Sequence, residues 1–190
     1  MPKTRIEAFT DAVIAIVMTI LVLELHTPEG DTWAAFEGTW HQFVIYLMSF
    51  ISLAIYWNNH HHMFHIVRRV DGWVLWANNL LILMMTLFPF ATAWVGDHPT
   101  SLAPQLLYGL ILLGTDLAYL VVGLTLVRVN GKDSPVGRLF ANYSKMYITL
   151  GLNVVALLAG WLIHPVSVLV VNGVMLLLWF IPEKKVEKIH

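Results

Sequence analysis

The sequence predicts an all-α, polytopic membrane protein with six transmembrane helices per chain and both termini in the cytoplasm. Three observations predict it. Of the 190 residues, 58% are hydrophobic and 12% are charged, against about 45–50% and about 25% in soluble domains. The apolar residues gather in six runs, roughly 6–26, 40–66, 73–95, 102–128, 138–162 and 165–181. Each is near or above the ~20 residues that cross a bilayer once tilt is allowed. All 11 Lys and Arg fall on one parity of the intervening loops.

That last pattern sets the orientation. Lys3 and Arg5 stand at the N-terminus, and Arg68 and Arg69 between the second and third runs. Arg128, Lys132, Arg138 and Lys145 surround the fourth loop, and Lys184, Lys185 and Lys188 close the chain. The other face carries Glu24, Glu29, Asp31, Glu37 and Asp97 without Lys or Arg. The positive-inside rule then puts both termini in the cytoplasm and requires an even number of spans. Six spans with short loops use up the length, so 1–190 reads as one transmembrane domain. The mean hydropathy of +0.70 agrees.

The first element is apolar from Ala12 to Leu25 behind a polar head, Arg5 to Asp11. Acidic Glu7 and Asp11, and the lack of a small-residue cleavage site, argue against a signal peptide, so the span is expected to be retained. Thr27-Pro28-Glu29-Gly30-Asp31 ends it. The second run closes before Arg68-Arg69-Val70-Asp71-Gly72, and the third before Gly96-Asp97-His98-Pro99. The fourth ends at Asn130-Gly131-Lys132-Asp133-Ser134-Pro135, and His164-Pro165 turns the fifth into the sixth. Such Gly, Pro and Asp clusters break helices. Pro89 inside the third run should bend it, because its ring displaces a backbone hydrogen bond. Trp33, Trp40, Trp57, Trp73, Trp94, Trp161 and Trp179 lie mostly near run ends, as interfacial anchors do.

Chemistry-bearing residues are few. There is no cysteine, hence no disulfide or thiol chemistry. On the first helix Ile16, Ile20 and Leu23 are spaced i, i+4, i+7 and share a face with Thr19. Such a stripe either faces lipid or core, or lines a pore and gates it by excluding water. Arg5 and Asp11 are six apart and cannot easily pair on one helix, so their partners must come from other segments. The second helix carries Trp57-Asn58-Asn59-His60-His61-His62-Met63-Phe64-His65. His61 and His65 have metal-binding spacing, but no acidic or cysteine ligand accompanies them nearby. Hydrogen bonding between helices suits buried imidazole better. Asp71, Asn78 and Asn79 could join the same polar layer, and Asn153 and Asn172 read as interhelical glue. Asp116, near the middle of the fourth run, is either a functional ionisable group or a hydrogen-bonded acid that holds helices together. No activated nucleophile or general base is visible, so an enzyme is not expected. No nucleic-acid partner or cofactor is expected either.

At these residues the chain resembles the transmembrane protein 175 family of potassium channels. The resemblance rests on RxxxF[ST]D, here Arg5, Phe9, Thr10 and Asp11. It extends to WxxHHxxF, here Trp57, His60, His61 and Phe64, and to Asp71, Asn78 and Leu87-Phe88-Pro89-Phe90. It implies a potassium-preferring cation channel without a TVGYG filter, a string that is absent here. It implies a homotetramer of single six-helix units in a prokaryotic plasma membrane. By the same resemblance the first helices line the pore. Ile16 forms the hydrophobic constriction, Ile20 and Leu23 form further apolar layers, and Thr19 forms a hydroxyl layer. Arg5, Phe9, Thr10, Asp11, Trp57, His60, His61 and Asn78 form the polar network that fixes the pore helix. Thr10 replaces the commoner serine and keeps its hydroxyl. Ala15 stands where animal members can offer a hydroxyl, so lower selectivity is expected. The competing expectation is a proton-coupled transporter built on Asp116.

Overall fold

The computed structural model describes residues 3–141 and 143–179. Helices dominate it: α1 (Lys3–Leu23), α2 (Trp33–His65), α3 (Gly72–Thr86), α4 (Phe88–Asp97), α5 (Leu102–Asn130), α6 (Pro135–Ala141), α7 (Ser144–Leu162) and α8 (Ser167–Trp179). In lipid every backbone N–H and C=O must be satisfied within the chain, and apolar runs of this length meet that demand as helices. Among the described residues, α1, α2, the α3–α4 pair, α5 and α7 are long and apolar enough to cross a membrane. The described part of α8 has 13 residues, or roughly 20 Å at 1.5 Å per residue. That is shorter than a bilayer core. Residues 180 and 181 of the sixth predicted run lie outside the described residues.

Three boundaries differ from the expected ones, each for a local reason. α2 starts at Trp33 rather than near 40, because the Thr32 side chain caps it by accepting from the Ala35 amide at 3.3 Å. The third run is two helices. α3 stops at Thr86, and Pro89, which has no N–H to donate, sits in the first turn of α4 where none is needed. The fifth run is also divided, into the short α6 and then α7. At the end of α5, Gly131 takes φ +92 while its N–H bonds to the Val127 carbonyl at 2.8 Å. A side chain there would clash with its own backbone.

α5 is the central post, packed against α3, α4, α6, α7 and α8. Tyr108, Leu112, Tyr119, Val122 and Leu126 fill the space around it. Gly123 lets α6 approach closely, since the Phe140 ring occupies the place a β-carbon would take. α1 lies on the other side of the bundle, against α2, α3 and α4. The outer surface is apolar: Leu117 and Leu124 of α5, Ile148 and Val155 of α7, and Val170 and Val174 of α8 are all exposed. Such a surface suits hydrocarbon rather than water.

Polar groups cross this bundle in rungs along α2, the first three spaced by about two turns and the last by about one. Gln42 donates to Asp97 at 3.0 Å, and Ser49 meets Tyr108 at 3.1 Å and Thr92 at 2.7 Å. Tyr56 donates to Asp116, and His60 meets Asn78. At the basic end, the Lys3 ammonium donates to the carbonyls of Phe64, His65 and Val67 at 3.0–3.2 Å. It thereby satisfies the open C-terminus of α2 and complements its dipole. Asp71 caps α3 through the Val74 amide at 2.9 Å and pairs with Arg128 of α5. Asn130 ties the same loop by accepting from the Arg68 and Arg69 amides.

Candidate pore-lining helix and its polar anchor

α1 has two faces that composition alone does not separate. Ile6, Thr10, Ile14, Val17 and Leu21 recur every three or four residues and are buried against α2, α3 and α4. Phe9, Ile16 and Leu23, each seven residues apart, are 56%, 57% and 79% exposed. Seven residues are almost two turns, so these three form one line along the helix. Ile20 borders that line and Thr19 is exposed beside it. The Thr19 hydroxyl donates to the Ile16 carbonyl at 2.7 Å. Its proton is thus occupied, and its oxygen lone pairs remain to face outward.

The buried face is held by a chain of hydrogen bonds through three helices. Asn78 of α3 donates its amide to the Thr10 hydroxyl of α1 at 2.8 Å. The Asn78 oxygen lies 2.9 Å from His60 Nε2 of α2. With the amide nitrogen used on Thr10, the oxygen can only accept, so His60 carries its proton on Nε2. All three side chains are buried. His60 also stacks on Phe64, with ring centroids 4.3 Å apart. A separate clasp lies nearer the surface, where the Trp57 indole N–H donates to Asp11 at 2.9 Å.

The predicted network is therefore brought together in part. Thr10, Asp11, Trp57, His60 and Asn78 join α1 to α2 and α3. Arg5 and Phe9 face away from the protomer, and Arg5 has no hydrogen-bond or ion-pair partner among the described residues. His61 is exposed too, lying against Trp57 and 6.3 Å from His65 between ring centroids. Asn79 is exposed and takes no part in the layer. Asp71 serves α3 and α5 instead.

Elsewhere, Asn153 does link helices, donating from α7 to Asp116 of α5 at 2.6 Å. Asn172 does not. Its amide donates to Val168, one turn back on its own helix, at 2.8 Å, as a short polar side chain does when no neighbour offers an acceptor. Sequence reasoning missed Lys3 and Tyr56. Tyr56 could have been found from its place beside Trp57. Lys3 gave no signal beyond its charge.

The family model described as endosomal/lysosomal potassium channel TMEM175 matches residues 5–89, which hold α1, α2, α3 and the whole anchor. A Chryseobacterium sp. (strain P1-3) protein named as a potassium channel is 37% identical over 188 residues, 99% of this chain and 97% of that protein. The chain belongs to the TMEM175 family. The fold agrees with that membership. A crystal structure titled as a lysosomal potassium-selective channel TMEM175 homolog from Chamaesiphon minutus superposes with a TM-score of 0.77 and 28% identity, covering 94% of each chain. A human TMEM175, named an endosomal/lysosomal proton channel, is 32% identical over 111 residues, 52% of this chain and 20% of that protein.

Proposed function

We propose that this chain forms a homotetrameric, potassium-permeable channel of a prokaryotic plasma membrane, with six spans per chain and both termini cytoplasmic. Four copies of α1 surround the axis, and Ile16 forms its narrowest ring. The observation that carries this reading is the division of α1. One face is locked by Thr10, Asn78 and His60, while the line Phe9–Ile16–Leu23 stands free on the outside of its own protomer. A helix that is held firmly on one side can keep an apolar ring narrow on the other. The names of the bacterial relatives support the ion.

The mechanism follows from hydration. A ring of isoleucines offers no oxygen to replace lost water, so an ion must pass partly dehydrated. Potassium holds its water less tightly than sodium and loses less by doing so. Such a ring also empties of water when it narrows, which closes the path without a moving plug. Thr19, one turn beyond, supplies outward lone pairs that can meet the ion after the constriction. Ile20 and Leu23 continue the apolar wall. The anchor residues act by position alone, so their loss should impair assembly before it changes ion preference.

The test is purified protein in planar bilayers, comparing wild type with Ile16→Asn. The substitution places an amide in the ring, which should admit water, raise conductance and reduce potassium-over-sodium preference. Unchanged permeability ratios would remove Ile16 from the constriction. A saturable flux driven by a proton gradient, without single-channel steps, would replace the channel by a proton-coupled carrier.

A further inference from the structure

A second buried polar assembly lies among α2, α5, α7 and α8. Asp116 stands half-way along α5 and is 4% exposed. Its Oδ1 accepts from the Tyr56 hydroxyl at 2.6 Å, and its Oδ2 lies 2.6 Å from the Asn153 amide. A cavity of about 30 Å³ opens beside it among α2, α5, α7 and α8. That is room for about two waters. Its wall includes the polar groups of Ser52, Asn59, Thr149 and Asp116.

The groups that face Asp116 leave it without a counter-charge. α2 contributes Tyr56, and α5 adds Tyr119 and, through Tyr56, Tyr108. α7 contributes Asn153 and Thr149, while α8 contributes Trp179, whose ring lies 5.4 Å from the Lys145 ammonium. None of the described residues lining the cavity is a lysine, arginine or histidine. An unpaired carboxylate in a membrane interior is expensive.

One detail of geometry says how that expense is avoided. The Asn153 oxygen is buried with no partner. Amide oxygen and nitrogen exchange places by a half-turn of the side chain. Turned over, Asn153 offers its oxygen to Asp116 Oδ2, and a proton on Oδ2 completes the bond. The amide nitrogen then needs an acceptor. Asn130 and Asn172 both use the carbonyl four residues back, and for Asn153 that is the Thr149 carbonyl.

The geometry points to a proton-binding site inside the protomer: Asp116 as a neutral carboxylic acid between Tyr56 and Asn153, exchanging its proton with water in the adjacent cavity. On release, the proton passes from Oδ2 to a cavity water, which leaves as hydronium. The carboxylate keeps the electron pair, and the Asn153 amide turns to donate to it. None of the residues lining the cavity or bonded to Asp116 belongs to α1, and the site does not depend on how ions pass. It does sit one residue along α2 from Trp57, the clasp on Asp11.

Infrared spectroscopy of the full chain in nanodiscs tests this. Wild type minus Asp116→Asn should show the carbonyl stretch of one neutral carboxylic acid at neutral pH. That band should shift in D₂O and fade as the pH is raised. Tyr56→Phe removes the hydrogen bond to the carbonyl oxygen and should move the band to higher frequency. This arm holds even where Asp116→Asn does not fold. No such band in wild type would overturn the proposal, as would a band that D₂O leaves in place or one that Tyr56→Phe leaves at its frequency. So would a thermal midpoint that rises with potassium or sodium over choline in wild type and not in Asp116→Asn, which would make the site one for a metal cation.

Discussion

Replacing Asn78 by leucine tests the anchor of α1 most directly. Leucine keeps the branching of asparagine at the γ-carbon, is bulkier, and removes both hydrogen bonds, to Thr10 and to His60. The partners stay buried, at 0% and 1% exposure. Interhelical hydrogen bonds in bilayers average about 0.6 kcal/mol and reach about 1.7 kcal/mol. Orphaned buried groups in soluble proteins cost about 1–3 kcal/mol each. The Thr10 hydroxyl can fall back on a carbonyl one turn earlier in its own helix, so its share belongs at the low end. The His60 N–H has no such refuge and belongs at the high end. Together they give a loss of about 1–3 kcal/mol, roughly one to two powers of ten in the unfolding equilibrium. The assay is reversible unfolding in mixed micelles of rising dodecyl sulfate, followed by tryptophan fluorescence. Leu83→Ala, on an exposed part of the same helix, is the control and should change stability by less than about 0.5 kcal/mol. A double-mutant cycle of Thr10→Ala with Asn78→Ala should give a coupling of about 0.6 kcal/mol. Strict additivity, with Asn78→Leu as stable as wild type, would refute the anchor.

Three further outcomes are expected. Gly123→Ala drives a methyl into the Phe140 ring and should cost about 1–3 kcal/mol by overpacking in the same titration, with Phe140→Leu partly restoring stability. Lys3→Gln should lose about 0.3–1 kcal/mol of the charge stabilisation at the end of α2, and the difference should shrink in high salt. At Asp71, the Val74 amide and then Arg128 hold the carboxyl below its usual range. The folded chain thus binds that proton less readily than the unfolded one. The stabilisation is complete above the ordinary carboxylate range and is lost as pH falls through the lowered value. Asp71→Asn can still cap α3 and should be mild, whereas Asp71→Ala should cost more at neutral pH than at acid pH. An Asp71→Ala deficit that does not vary with pH would contradict this.

The helices were legible because lipid leaves an apolar run of this length little choice but to hydrogen-bond within itself. A disturbance at Pro89 was legible because a missing N–H is a local fact, but the split into α3 and α4 was not. Some polar residues inside these runs face inward, as the cost of polar groups in hydrocarbon favours, and Thr10, Asn78 and Asp116 are buried, but Asn79 is exposed. Their partners were not legible. Asn153 and Asn172 look alike in sequence, yet one bridges to α5 and the other bonds its own helix.

What the sequence determined by itself was the all-helical membrane character, the breaks between the apolar runs and the membership of Arg5 to Asp11 and Trp57 to Phe64 in one family's motifs. What only the tertiary structure decided was which apolar side chain faces which way. In a soluble helix the polar side marks the outside. Here both sides are apolar, and periodicity loses its contrast. Ile14 and Ile16 are the same residue two positions apart, one 1% exposed and the other 57%. The difference comes from α2 and α3 packing on one side of α1 and leaving the other bare.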